Sequence, residues 1–493
     1  MRIPLDRQSP VPLYQQIEDY LRQGILSGSL AADTRLPASR QLARDLGVNR
    51  LTVENAYAEL ESDGLVYSKM GSGTYVLAPD PLLTAPKNRQ SEPWPLWQQS
   101  VAFQGTASTT RARNEMFKQA SRHPDPINFA SGIGDAHLFP AEDFRKVLQT
   151  VMRRDGIAAL DYGEPNGHAA LRETIAHILA SQGLQTQAEN VLITAGSQQA
   201  LSLVSQLLLK PGDVILVESP TYSGALDLFR ALGFQVVGIP VDGQGMQVEM
   251  LETLLQQYHP KLIYTIPTFH NPTGTCLSSH RRHQLIILAD RYNVPILEDD
   301  FVGDLRYEGR AQPALKALDP GGRVIHVSTF SKILMPGLRV GFLVADGPVY
   351  TSLVNFKRVN DLATSTLVQR ALESYVTVGR YQSHLRRSCQ LFRKRRDAML
   401  SAIRRNLPDQ IHLDPPQGGL FIWLQLPEKL ASEKLLPLAW EEGVSFAPGA
   451  GFFPDGVDGE KWLRLNFVAQ APDRIDEGIK RLGKAMKRLA TTV

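Results

Sequence analysis

Lys332 lies in FSKILMPGLRVG, just after a β-rich run and before the turn Pro336-Gly337. Lysine is most often a surface cation, but a partly buried lysine loses its charge readily and can form a Schiff base with a carbonyl. Arg339, seven residues on, could grip a phosphate through two N–H groups. Asp299 belongs to ILEDD, which places carboxylates at a strand end. Buried beside a pyridine nitrogen, it would hold that nitrogen protonated by charge pairing. Asn271 in HNPTG presents an amide from a turn, and Tyr222 in ESPTY follows a strand and could stack on a ring. The run VLIT turns at Ala195-Gly196-Ser197 into a helical pattern, and the unpaired amides and dipole of a helix start favour an anion. Taken singly, each feature also has an ordinary structural reading.

The elements that must position these residues are visible as short apolar runs. VLIT (191–194), VILVE (214–218), FQVVGI (234–239), LIYTI (262–266), PILED (295–299) and VIHVS (324–328) alternate mostly with helical stretches such as QQALSLVSQLLLK. Near-continuous apolar strands alternating with helices predict a buried, largely parallel sheet in an α/β domain. Ligands of such sheets sit beyond the carboxyl ends of the strands, where the residues above fall. From about residue 385, LFIWLQL and KWLRLNF read as a smaller α+β lobe.

The first 78 residues have a different pattern. Leu13, Ile17, Leu21 and Ile25 form one face of an amphipathic helix. In LPASRQLARDLGV, Pro37 and Ser39 mark the start of a short helix, with Ser39 as its expected N-cap, and Gly47 marks its end. A second helix carries Val53, Ala56, Tyr57 and Leu60 at helical spacing. LVYSKMGSGTYVL then alternates around Gly71-Ser72-Gly73 as a hairpin. This order is that of a winged helix-turn-helix, whose second paired helix enters the major groove of DNA. Asn49, Arg50 and Thr52 would lead that helix, while Arg40 and Arg44 could reach phosphates. Between 35 and 50 there are four arginines against Asp45 alone, although 1–78 as a whole has eight basic and nine acidic residues. Positive charge is focused there, not general.

The whole chain has 493 residues, 43% hydrophobic and 21% charged, with a net charge of +3. That excludes a disordered or collagen-like chain and makes any nucleic-acid claim a local one. Two cysteines, Cys276 and Cys389, suit a reducing compartment and fit no zinc motif. No apolar run approaches the ~20 residues of a membrane span, so a cytoplasmic protein without a metal or membrane role is expected. Residues 79–124, with APDPLLTAPKNRQSEPWPLW, read as a linker in which Trp94 and Trp97 could dock on a surface.

LPASRQLARDLGVNRLTVENAYAELESDGLV closely resembles the GntR family of bacterial regulators. The resemblance implies DNA contacts by Arg40, Asn49, Arg50, Thr52 and the wing glycine Gly71. Glu54 departs from it, standing where some relatives carry a base-contacting arginine. It could repel phosphate or accept from a cytosine amine. The ordered words GSQQA, ESPTY, HNPTG, EDD and SK-x4-GLR resemble a fold-type I enzyme of pyridoxal 5′-phosphate (PLP) over 125–493. That likeness implies an internal aldimine at Lys332, Asp299 at the pyridine nitrogen, Asn271 on the phenolic oxygen and Tyr222 over the ring. It implies phosphate contacts from Gly196, Ser197, Gln198, Thr329, Ser331 and Arg339. Tyr162 would reach the partner subunit's phosphate, and Arg464 would hold an amino acid's α-carboxylate. Phe301 departs from the pattern, since many relatives have a tyrosine there. The combination resembles the MocR subfamily: domains at 1–78 and 125–493, a head-to-tail homodimer, an operator in double-stranded DNA, and an amino acid or amine effector sensed as an aldimine. The alternative is an active aminotransferase with an accessory DNA-binding domain.

Overall fold

The computed structural model describes residues 1, 3–69, 71–78, 123–456 and 458–492. Most of the expected linker, with Trp94 and Trp97, lies outside them. The chain divides into two compact units, Met1–Ala102 and Phe103–Val493.

In the first unit α1 (Leu13–Leu26) buries Ile17, Leu21 and Ile25. Helix α2 (Ser39–Leu46) ends at Gly47, whose φ of 62° is the left-handed conformation glycine tolerates best. Helix α3 (Arg50–Ser62) starts at Asn49, whose side chain accepts from Leu51 N–H at 3.0 Å. Val53, Ala56, Tyr57 and Leu60 of α3 are buried together with the apolar face of α1. The wing is β1 (Val66–Lys69) and β2 (Gly73–Val76), antiparallel with Val66 opposite Val76. Gly71 forms its turn with φ 76°. One expectation fails: Ser39 is the first helical residue and not the cap, which is Ala38, with no side-chain cap bond. The Ser39 hydroxyl instead donates to Glu54 at 3.2 Å.

The second unit begins with β3 (Ile127–Asn128) and β4 (Val191–Thr194). Then come β5 (Val214–Ser219), β6 (Gln235–Asp242), β7 (Gly245–Met246) and β8 (Leu262–Thr265). Strands β9 (Ile296–Asp299), β10 (Val324–Thr329) and β11 (Gly341–Val344) complete the large sheet. Its order is β4-β11-β10-β9-β8-β5-β6-β7. β10, β9, β8, β5 and β6 run parallel, while β11 and the edge strand β7 are reversed. All four residues of β4, β8, β9 and β11 are buried, as in a sheet covered on both faces.

The smaller lobe has β12 (Phe421–Gln425), β13 (Val444–Ser445), β14 (Ala447–Pro448) and β15 (Trp462–Asn466). β12, β15 and β14 form an antiparallel sheet, and β13 pairs in parallel with β3. The lobe therefore recruits residues 127–128, far earlier than the expected start near 385. Two residues of strand leave no periodicity to read. The helices Arg380–Asn406 and Pro472–Thr492 complete the C-terminal part of the chain.

Candidate cofactor site and nucleic-acid interface

Register explains why residues far apart in sequence meet. Thr194 at the end of β4 faces Gly341 at the start of β11, and Gly341 faces Thr329 at the end of β10. The reversed β11 thus aligns the Gly196 turn, the Arg339 loop and the Lys332 loop at one edge of the sheet. A Cβ on Gly341 would lie 2.7 Å from the Gly196 carbonyl carbon and 2.8 Å from Ser197 N, so this approach requires glycine. Gly196, at φ 90°, is the N-cap of helix Ser197–Leu208. A side chain there would meet Arg339 Nη2 at 2.7 Å.

These loops enclose a cavity of about 990 Å³. Ser197, Gln198, Tyr222, Asn271, Asp299, Thr329, Ser331, Lys332, Arg339 and Arg464 all line it, as does Phe301. Gly196 stands behind Ser197 as its cap. Tyr162 is not among the lining residues and is 83% exposed.

Asp299 is buried, and its Oδ2 accepts the Tyr264 hydroxyl at 2.9 Å. Its Oδ1 has no hydrogen-bond partner. Burial pushes this carboxyl up to about 7, against the pull of the Tyr264 bond. An unsatisfied buried carboxylate oxygen is costly and fits a protonated ring nitrogen, which would restore its charge. Lys332 is brought down to about 8 by burial first, then by the cations Arg464 and Arg339, with Asp299 pulling the other way.

Toward β4 the site offers donors for a dianion. The helix start at Ser197 presents unpaired amides. Ser331 Oγ is buried without a partner. Thr329 Oγ1 accepts Ser331 N–H at 3.1 Å and donates to Val340 O at 3.2 Å, which fixes the start of the lysine loop. Arg339 donates to Ala195 O at 2.9 Å through one nitrogen.

Arg464 on β15 is 7% exposed, so it is not an exposed strand cation. It donates to Asn271 Oδ1 at 2.8 Å and to Ala130 O at 2.9 Å, and its Nε has no partner. Its guanidinium lies 4.0 Å from the Phe421 ring centroid and 4.9 Å from that of Phe452. Burial lowers its pKa to about 9, which still leaves it cationic at neutral pH. These bonds go to neutral oxygens, so its charge is buried without a bonded carboxylate.

Several positioning residues escaped the sequence reading. Tyr264 is one residue of an apolar strand and carries no motif. Glu218 accepts Thr265 Oγ1–H and Ile266 N–H, each at 2.8 Å, and lies 3.2 Å from His270 Nε2. It ties the loop bearing Tyr222 to the loop bearing Asn271. Glu298 accepts Leu315 and Lys316 N–H and lies 2.9 Å from His326 Nδ1 behind Asp299. The glutamate of ESPTY and of ILEDD was present in each quoted word. Its partner was not readable, because the contact depends on register.

In the first unit Arg40, Arg44, Asn49 and Arg50 are exposed, and Thr52 is half-buried. Glu54 is engaged on its own helix: Arg50 Nε donates to it at 2.7 Å. Glu54 therefore holds Arg50 through its Nε. Both partners are substantially exposed, so the pair contributes at most about 1 kcal/mol to stability.

The fold and site define a pyridoxal-phosphate protein joined to a winged helix-turn-helix. Residues 124–482 match the family model for aminotransferase class I and II, and residues 13–76 match that for bacterial regulatory proteins of the gntR family. The chain belongs to the aminotransferase class I and II family, in the MocR-type branch that carries a GntR domain. It is 34% identical to the HTH-type transcriptional regulator YisV of Bacillus subtilis, over 98% of each chain. It is 32% identical to the probable rhizopine catabolism regulatory protein MocR of Rhizobium meliloti, over 99% of this chain and 96% of that one. Among solved structures, a kynurenine aminotransferase of Pyrococcus horikoshii in complex with PMP aligns with a TM-score of 0.74 at 37% identity, over 80% of this chain and 97% of that one. The cofactor is pyridoxal phosphate.

Proposed function

We propose that this protein is a PLP-binding transcription regulator whose aminotransferase-like domain senses PLP, an amino acid or an amine and alters the DNA affinity of its winged helix. The observation that carries the reading is a cavity lined by Lys332, Asp299, Asn271 and Arg339 in a chain that also holds a GntR domain. Bound PLP supplies an aldehyde that amines capture. Lys332 would hold it covalently and Asp299 would pair with its ring nitrogen. Asn271 would bond its phenolic oxygen and Tyr222 would cover the ring. The Gly196–Gln198 helix start, Thr329, Ser331 and Arg339 would hold the phosphate, while Arg464 would bind an effector carboxylate.

A ligand favouring one arrangement of a dimer shifts DNA affinity by its differential binding. Ile157, Leu160 and Tyr162 are 84%, 63% and 83% exposed. Such an uncovered apolar strip supports a partner subunit on that face, with Tyr162 reaching the partner's site. Among the described residues no helix is long and apolar enough to cross a membrane, and the protein would meet its operator in the cytoplasm. The intact site also favours a second reading, that of an aminotransferase with an accessory DNA-binding domain.

Arg50→Ala is expected to weaken operator binding by about 1–3 kcal/mol while the absorbance of bound PLP stays unchanged. Gel-shift titration beside absorption spectra checks this. Loss of the PLP absorbance, or DNA binding equal to wild type, would contradict the assignment of Arg50.

A further inference from the structure

We propose that Leu51 and Asn55 of α3 read an A·T step in the major groove, Leu51 against the methyl of a thymine and Asn55 against an adenine in the same or the next base pair. This deepens the DNA-binding reading above and rests on it. Charge places the duplex on the first half of α3. Arg40 and Arg44 on α2 and Arg50 at the start of α3 are exposed cations, whereas the exposed acids Glu59 and Glu61 occupy the end of α3 and would repel phosphate.

In that first half most side chains are already engaged. Asn49 caps the helix, accepting Leu51 N–H at 3.0 Å. Glu54 Oε1 accepts from Arg50 Nε at 2.7 Å and from Ser39 Oγ at 3.2 Å. Val53, Ala56 and Tyr57 are buried, and Thr52 is half-buried. Leu51 and Asn55 are left on one exposed face, four residues apart. Leu51 is 61% exposed, more than any other large apolar side chain described in the first unit. Burying it against a thymine methyl removes apolar surface from water on both sides. Asn55 carries the donor and acceptor that match adenine N7 and N6. Their Cβ atoms are about 6 Å apart by helical spacing, which spans no more than two base pairs stacked about 3.4 Å apart.

The full-length, PLP-loaded protein first selects a site from random-sequence duplex DNA. Each thymine of that site is then replaced by deoxyuridine, which pairs identically but lacks the methyl. Each adenine is replaced by 7-deazaadenine, which lacks the N7 acceptor. Wild-type affinity is expected to fall about fourfold at one thymine and about fivefold or more at an adenine in the same or the next pair. Leu51→Ala should bind the thymine and uracil forms alike and stay sensitive to 7-deazaadenine, and Asn55→Ala should do the reverse. Both side chains lie outside the buried core of the unit, so both variants should fold. Wild-type indifference to uracil at every position, or full discrimination by Leu51→Ala, would overturn the assignment of Leu51. The corresponding results with 7-deazaadenine would overturn that of Asn55. Selection of no duplex at all would overturn DNA binding and this inference with it.

Discussion

Lys332→Ala leaves no borohydride-stable pyridoxyl label on the protein, whereas the wild type carries the label on the peptide containing that lysine. The Lys332 side chain lines the cavity, where burial first, and then the charges of Arg464 and Arg339, lower its pKa against the pull of Asp299. A solvated lysine is half neutral near pH 10.4. At a pKa of about 8, Lys332 is half neutral at a far lower pH, so its share of reactive amine at neutral pH rises roughly two-hundredfold. Label formation by the apo-protein is therefore expected to climb through about pH 8 and level above it. Peptide mapping after reduction, over a pH series, checks both statements. A label surviving at another lysine would refute the assignment. A rise continuing to pH 10 would refute the electrostatic account. The side chain makes no hydrogen bond on which the fold depends, so the variant should melt as a folded protein.

Arg464→Met abolishes the preference for α-amino acids over the matching amines without a carboxylate, while PLP stays bound. Truncating one partner of a buried charge pair costs about 2–5 kcal/mol. That corresponds to a loss of about thirtyfold or more in affinity. The physical cause is that Arg464 is a buried cation held by Asn271, Ala130 and two aromatic rings, with no carboxylate of its own. Methionine keeps much of the volume but leaves Asn271 Oδ1 and Ala130 O without their donor, so a thermal melt of the variant accompanies the titration. Calorimetric titration with an amino acid and its decarboxylated amine, on both proteins, separates the effects. An unchanged preference in the variant would remove Arg464 from the ligand site.

Much of this was legible because the chemistry sits in contiguous words. EDD, HNPTG and SK-x4-GLR each carry a residue at or just beyond a strand end, and apolar runs locate those ends well. The boundaries of β4 match the expected strand at both ends, and those of β5 and β10 differ by one residue at one end. What was not legible depends on pairing across the fold. Tyr264 reaches Asp299 because β8 and β9 are neighbours. Glu54 looked like an isolated acid on a DNA-reading face, but its i,i−4 partner Arg50 neutralises it. The smaller lobe's debt to Ile127-Asn128 was invisible for the same reason, since a two-residue strand exists only through its partner.

The most direct test is affinity selection of sheared genomic DNA by the full-length protein, with and without PLP, followed by sequencing. The account predicts discrete enriched sites whose recovery changes with PLP. Enrichment of nothing under either condition, or of sites indifferent to PLP and to amino acids, would contradict a cofactor-responsive regulator.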